Sequence, residues 1–398
     1  MELEVHFSDQ LVGHLTQDAR GGILFEYDAA WRTGKRELSP LYLPNSTDAA
    51  VRTPTPSFGD LHGLFQDALP DWWGEQMMRR FFFEAGIPWG KVSSLQKLAC
   101  QGDRKMGALL FKPIIDDHDF NGELLTSLTA LVDAARDAIK GDNEQVIHQL
   151  IHAGITPGGA RPKALLWLSG TSIFLDEAPG REAWLLKFDL DPDTHEGKIE
   201  QAYMQMAASA GIDCPETKLL EAAGGHHFLT RRFDRLPDGR RLHLHSFSGL
   251  THTPVREGLD YGDLMNLTRE LTGDHQAVEQ VFRRAAFNIA AGNDDDHGRN
   301  HAFLMDDGGT WRLSPAFDLT QATNPLTSGF RAGRVLGKAY GVTREDLRKL
   351  GNSQGVRRVD DALHQIDTAL ASWGDHARSV DLPRGIAQQV RAQMPGLS

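Results

Sequence analysis

The sequence predicts an α+β chain whose first part is rich in strands and whose last part is helical, and three observations carry that prediction. Residues 2–28, ELEVHFSDQLVGHLTQDARGGILFEYD, alternate apolar and polar side chains between DQ and DARGG turns, the pattern of a short meander. A second group of strands is expected in GITPGGARPKALLWL (154–168) and AWLLKFDL (183–190), with a glycine-bearing turn inside the first stretch. After residue 235 the apolar residues fall mainly at helical spacing, interrupted by one hairpin at 301–314.

The elements between these landmarks follow from local signals. The loop 43–63, LPNSTDAAVRTPTPSFGDLHG, is rich in Pro, Thr and Ser and hands over to a helical stretch with many aromatics, LFQDALPDWWGEQMMRRFFFEAGI (64–87). Those aromatics are expected to pack internally, with an exposed partner surface as the alternative. Acidity rises and apolar periodicity lapses in IIDDHDF (114–120), which marks a boundary. GELLTSLTALVDAARDAIKG (122–141) then reads as an amphipathic helix. In KIEQAYMQMAASAGI (198–212), Ile199, Tyr203, Met206 and Ala210 form one stripe of a helix whose first turn carries Glu200. A chain of 398 residues exceeds what one core usually serves, so two or three packed units are expected.

Composition narrows the function classes. A formal net charge of −12 argues against direct binding to nucleic acid, which needs a basic footprint, so a DNA role would require a basic partner. Cys100 and Cys214 cannot build a disulfide framework and sit in no metal spacing. The histidine clusters GGHHF (224–228) and RLHLHSF (241–247) lack a cysteine or third ligand at useful spacing, which disfavours a structural metal. MELEVHFSDQ has no basic leader, and no apolar run has the length of a membrane span. A cytoplasmic protein without membrane association is expected.

The most informative stretch is AGNDDDHGRNHAFL (291–304). Three adjacent acids repel one another, so a packed protein puts them on a solvated loop or at a cation site. Spacing favours the second. Asp295 and Asn300 stand five apart with His297 between them, a hairpin follows, and its second strand leads to Asp318 in PAFDL. Phosphoryl transfer uses an aspartate to orient the attacking hydroxyl, an asparagine five residues on for Mg²⁺, and a second aspartate for the metal bridging the phosphates. Phe317-Asp318-Leu319 stands where protein kinases carry Asp-Phe-Gly. Upstream, Lys187 lies in an apolar strand that tolerates a charge only beside a partner, such as a nucleotide phosphate. The turn TPGGARPK offers backbone N–H groups at Gly158 and Gly159 and the cations Arg161 and Lys163 to triphosphate oxygens. Singly, the turn and the lysine also read as an ordinary turn and a snorkelling surface side chain; the conjunction in order is the specific signal.

TPGGARPK, LLKFD, RRFDR, NDDDHGRNHAFL and LSPAFDL occur together and in order as in the HipA-type serine/threonine kinases, the toxin halves of bacterial toxin–antitoxin pairs. FSDQLVGHLTQDARGGILFEYD and ALPDWWGEQMMRR resemble the N-terminal subdomain of that family, and the resemblance spans roughly residues 5–375. It implies a bilobal protein-kinase-like fold, with residues 1–118 as the β-rich N-terminal subdomain, 119–235 as the N-lobe and 236–398 as the helical C-lobe. It further implies ATP and Mg²⁺ as cofactors, Asp295 as the catalytic aspartate, His297 near the transferred group, and Asn300 and Asp318 as metal ligands. Lys187 would contact the ATP phosphates and Glu200 would be its helix carboxylate. Asp294 and Asp296 match less constrained positions and are read as loop solvation. In the family a serine of the glycine loop is phosphorylated by the kinase itself, expelling the loop; Thr156 takes that position here.

The implied function is a serine/threonine kinase toxin restrained by a HipB-like helix-turn-helix antitoxin, touching DNA only through that partner. A translation component such as an aminoacyl-tRNA synthetase is the implied substrate. A small-molecule kinase of the same fold and a non-catalytic ATP-binding corepressor are the alternatives.

Overall fold

The computed structural model describes residues 1–102, 105–115, 127–140, 150, 161–322 and 331–397. The expected boundary at 118/119 lies outside the described residues, as do Thr156, Gly158 and Gly159.

Four strands form the N-terminal sheet: β1 (Glu2–Phe7), β2 (Gln10–Gln17), β3 (Ile23–Tyr27) and β4 (Leu109–Lys112), in the order β3-β2-β1-β4. The period-2 pattern of β1 buries Leu3, Val5 and Phe7 on one face. The meander read from sequence is therefore present, and the late strand β4 completes it antiparallel to β1.

The helix Trp72–Glu84 starts at Asp71, whose side chain accepts from the Gly74 amide. Trp73, Met77, Met78 and Phe82 are buried, as internal packing of the aromatics requires, whereas Trp72 and Phe83 lie open to solvent. The amphipathic helix at 122–141 runs from Leu128 to Lys140 within the described residues.

A five-stranded antiparallel sheet follows: β5 (Lys163–Ser169), β6 (Ser172–Phe174), β7 (Glu182–Lys187), β8 (Thr217–Ala222) and β9 (Gly225–Arg231), ordered β6-β5-β7-β9-β8. Alternation divides its side chains cleanly. Leu166, Leu168, Trp184, Leu186 and Leu229 join the helices Trp72–Glu84 and Leu128–Lys140 in one core. Lys163, Leu165, Leu185, Lys187 and Thr230 share the other face. The helix predicted at 198–212 spans Glu196–Ser209, so Glu200 falls in its second turn rather than its first. Its stripe of Tyr203, Met206 and Ala210 is fully buried.

The last part is mainly helical but holds more strand than the single hairpin expected. β10 (His243–Ser246) pairs with the hairpin strand β12 (Ala302–Met305), which pairs with β13 (Trp311–Leu313), while β11 (Leu259–Asp260) runs parallel to β14 (Gly333–Arg334). The histidines of RLHLHSF thus occupy a sheet edge. His243 donates from Nε2 to the Leu38 carbonyl at 2.9 Å, and His245 Nδ1 meets Asp67 Oδ2 at 2.7 Å. These bonds fasten the N-terminal unit to the helical part. The helix His275–Ala291 ends at Gly292, whose φ of +74° turns the chain into the acidic loop. Side chains of the N-terminal sheet and of the C-terminal helices belong to one continuous core. Among the described residues no helix is long and apolar enough to cross a membrane.

Candidate active site

Period-2 geometry places Lys187 at the end of β7 with its side chain on the face of the five-stranded sheet opposite the core shared with the helices Trp72–Glu84 and Leu128–Lys140. Its Nζ bonds Glu200 Oε1 and lies 2.5 Å from Asp318 Oδ1. Burial disfavours the ammonium, but the Asp318 and Glu200 carboxylates outweigh that and hold its pKa above the ordinary lysine range. Asp318 shows the reverse: burial would raise its carboxyl, and Lys187, Lys163 and His297 keep it low. Its φ of +55° is a left-handed conformation rare outside glycine, and it follows the strand that ends at Leu313.

The acidic loop supplies the opposite wall. Asp295, His297, Asn300 and Asp318 line one chamber of about 550 Å³ together with Arg161, Lys163 and Lys187. Asn300 lies in a single 3₁₀ turn, Gly298–Asn300, and donates from Nδ2 to the Asp295 carbonyl at 2.9 Å, which leaves its side-chain oxygen as an acceptor for a cation. Asp295 is open to solvent, yet partial desolvation by the chamber wall raises its carboxyl pKa, Asp318 and Asp296 add to this, and His297 opposes it. His297 Nδ1 is buried without a hydrogen-bond partner among the described residues.

The three acids do not share one role. Asp296 is 1% exposed, which overturns the reading of it as loop solvation. Its Oδ2 accepts from Arg331 Nη2 at 2.8 Å and from the Tyr261 hydroxyl at 2.7 Å, and its Oδ1 accepts from the Gly333 amide at 2.7 Å. Those bonds and the Arg331 charge outweigh burial and keep it ionised. Asp294 is half-buried with Oδ1 3.8 Å from Arg331 Nη1. Arg331 also donates to the Asn293 and Gly333 carbonyls, so the loop backbone is clamped to the chain at residues 331–333.

A second chamber of about 820 Å³ adjoins the first and shares Lys163, Lys187, Asn300 and Asp318 with it. Leu185, Thr230, Phe233, Leu244, Phe317 and Met106 give it an apolar lining. Phe233 belongs to RRFDR, and the structure gives that motif a structural task. Arg232 and Arg235 both pair with the fully buried Asp234 at 2.8 Å, and Asp234 accepts from the Gly107 amide at 2.6 Å. Burial opposes this carboxylate, but the two guanidinium groups bring its pKa down to about 2. The stretch 232–235 is thereby fixed to Gly107, near the end of the N-terminal unit.

Of the expected cations, Lys163 starts β5 and Arg161 stands two residues before it. Arg161 makes two long contacts, 3.5 Å each, to Glu196 and Glu200, whereas Lys163 Nζ lies 2.7 Å from Asp71 Oδ2. No local signal marks the long-range contacts of Asp71 with Lys163, or of Tyr261 and Arg331 with Asp296, because these partners lie far apart in sequence. Leu185 and Thr230 were readable: they follow from Lys187 by alternation and strand pairing.

Among the described residues no cluster of three or more His, Cys, Asp or Glu is placed to hold a metal. Asn300 and Asp318 suit a hard cation that takes only part of its shell from protein oxygen and the rest from phosphates and water, as Mg²⁺ does.

Several known proteins are similar to this chain. Y4mE of Sinorhizobium fredii, which bears a kinase name, is 26% identical over 337 residues, covering 80% of this chain and 76% of its own. The serine/threonine-protein kinase toxin HipA of Shewanella oneidensis is 22% identical over 347 residues, covering 80% of this chain and 75% of its own. A solved complex of HipA, HipB and operator DNA from Shewanella oneidensis MR-1 contains a chain that superposes with a TM-score of 0.70 at 17% identity, over 98% of this chain and 95% of that one. The mixed α/β fold, β-rich in front and helical behind, is shared with it. The HipA N-terminal domain matches residues 3–112, and the HipA-like C-terminal domain matches residues 155–383, more than half the sequence. The chain belongs to the HipA-like family.

Proposed function

We propose that the protein is an ATP- and Mg²⁺-dependent serine/threonine protein kinase acting as the toxin of a HipA/HipB-like pair. The observation that carries this reading is the meeting of Lys187, Glu200 and Asp318 at a chamber whose other wall holds Asp295, His297 and Asn300. The apolar chamber bounded by Leu185, Thr230, Phe233 and Phe317 suits a purine base. Lys187, Lys163 and Arg161 then face the triphosphate. Asp318 and Asn300 would hold Mg²⁺, which when bound offsets the charge developing on the transferred group. Asp295 orients the acceptor hydroxyl and takes its proton as the oxygen attacks the γ-phosphorus and ADP leaves. A carboxyl with a raised pKa is a better proton acceptor than an ordinary aspartate.

The toxin role, an aminoacyl-tRNA synthetase or other translation component as substrate, and autophosphorylation at Thr156 rest on the family. A small basic helix-turn-helix antitoxin would suit a chain of net charge −12 and would supply the DNA contact. The test is incubation of the purified protein with labelled ATP and whole-cell extract, with and without Mg²⁺. A discrete labelled protein band that needs Mg²⁺ is expected. Label found only in small molecules would point to a metabolite kinase, and ATP binding without any transfer to a retired, binding-only site.

A further inference from the structure

Lys163 and Lys187 are direct partners across the antiparallel pair β5–β7, so both side chains leave the same face. In such a pair the Cβ atoms stand roughly 5 Å apart, and like charges there are destabilising unless each is compensated. Lys187 has Glu200 and Asp318. Lys163 Nζ lies 2.7 Å from Asp71 Oδ2, with both residues only 5% exposed. Asp71 comes from the N-terminal unit, outside the 155–383 region matched by the HipA-like C-terminal domain.

We propose that Asp71 is a positioning residue for the phosphate end of the nucleotide site, fixing the Lys163 ammonium where it faces the triphosphate. The inference rests on the phosphotransferase reading above. Three features make the carboxylate an anchor. Its Oδ1 accepts from the Gly74 amide at 2.7 Å, capping the helix Trp72–Glu84. That helix is held by Trp73, Met77, Met78 and Phe82 in the core on the covered face of the sheet, so Asp71 cannot swing. A buried carboxylate deprived of its cation would be left uncompensated, so Lys163 does not leave Asp71 when a phosphate arrives. An ammonium has three N–H donors, and bonding Asp71 does not prevent it from also bonding a phosphate oxygen. Lys163 borders both chambers beside Asp318, at the junction between base and phosphate ends. Among the described residues, the more exposed Arg161 has long carboxylate contacts of 3.5 Å and no such anchor.

The test is calorimetric titration of the full-length protein with Mg²⁺-ATP and, separately, with adenosine, for wild type, Asp71→Asn, Lys163→Met and the double variant. Asparagine caps a helix as well as aspartate does, so the helix cap is kept while the charge pair is lost. Each single variant is expected to bind Mg²⁺-ATP about tenfold more weakly, the scale of one charge-assisted hydrogen bond. Adenosine affinity should be unchanged, and the double variant should be no weaker than either single one. Wild-type Mg²⁺-ATP affinity in Asp71→Asn, multiplied losses in the double variant, or a parallel loss of adenosine binding would each overturn the inference. A wild type that binds neither ligand would instead overturn the nucleotide-site reading, and the inference with it.

Discussion

Asp295 and Asp296 are adjacent and chemically identical, and the fold gives them different work. The Asp295 side chain opens into the chamber beside His297 and Asn300, while Asp296 is sealed beneath it against Arg331, Tyr261 and the Gly333 amide. Asp295→Asn should lower phosphoryl transfer by about 10²–10⁴-fold, the usual cost of losing a general base, with Mg²⁺-ATP affinity and melting temperature unchanged. Asp296→Ala should instead cost about 3–5 kcal/mol of stability, because it strands a buried guanidinium. Steady-state kinetics and urea denaturation of the two variants separate these roles; an active Asp295→Asn enzyme would remove that residue from the mechanism. Spacing within the chain singled out Asp295, Asn300 and Asp318, and the fold brings all three to one chamber. Spacing could not distinguish Asp296 from its neighbours, because the difference lies in Arg331, 35 residues away, and no local pattern encodes that contact. The same holds for Lys163, whose alternation is legible but whose partner Asp71 lies in another unit.

At the scale of elements, the N-terminal unit meets the C-terminal part at two short helices, Gly63–Gln66 and Phe247–Thr251. They approach so closely that a Cβ added at Gly63 would lie 1.8 Å from the Gly249 carbonyl oxygen, and one added at Gly249 would lie 2.2 Å from Asp67 Oδ2. Asp67 is itself saturated by the His245 ring and by the Ser246 amide and hydroxyl, so it has no room to retreat. Alternation in β1 and the stripe on the helix Glu196–Ser209 were legible because each is a repeat within one element. A crossing of two glycines is a relation between elements and leaves no periodic trace. Gly63→Ala should therefore separate the backbones and cost about 1–3 kcal/mol, the range of overpacked sites. Gly90→Ala is the control, since a Cβ there meets nothing within 4 Å. Thermal melts and limited trypsin digestion read the outcome: a lower melting temperature and earlier release of the N-terminal unit in Gly63→Ala alone. Equal melting of the two variants would mean that the crossing adapts without loss.

Across the whole molecule, the N-terminal unit is fastened by histidines that must stay neutral, and this makes stability depend on pH. His252 Nε2 accepts from the Gly63 amide at 2.9 Å, so its proton sits on Nδ1, toward Thr55 Oγ1 at 3.1 Å. A second proton would set two donors facing each other. Burial pushes His252 and His62 down to about 4, and His243, bonded to the Leu38 carbonyl, down to about 3; His301, beneath Tyr261, is also pushed down to about 3. An unfolded histidine titrates near 6.5, so below that pH the unfolded chain takes up protons that the native state refuses. The stabilising contribution is complete above about pH 6.5 and is lost as pH falls toward the folded values, at about 1.4 kcal/mol per pH unit for each histidine. Urea denaturation between pH 7 and pH 5 covers this window before most carboxylates titrate. Unfolding free energy should fall steadily across it, and His243→Gln should flatten the slope by about one proton, whatever its own cost to stability at pH 7. Three of the four groups lie where the N-terminal unit meets the rest, so trypsin should release that unit more readily at pH 5.5 than at pH 7.5. A free energy independent of pH from 6.5 to 5 would mean that these rings are protonated in the native state, and that the unit is held by its shared apolar core and the Asp71–Lys163 pair rather than by neutral imidazoles.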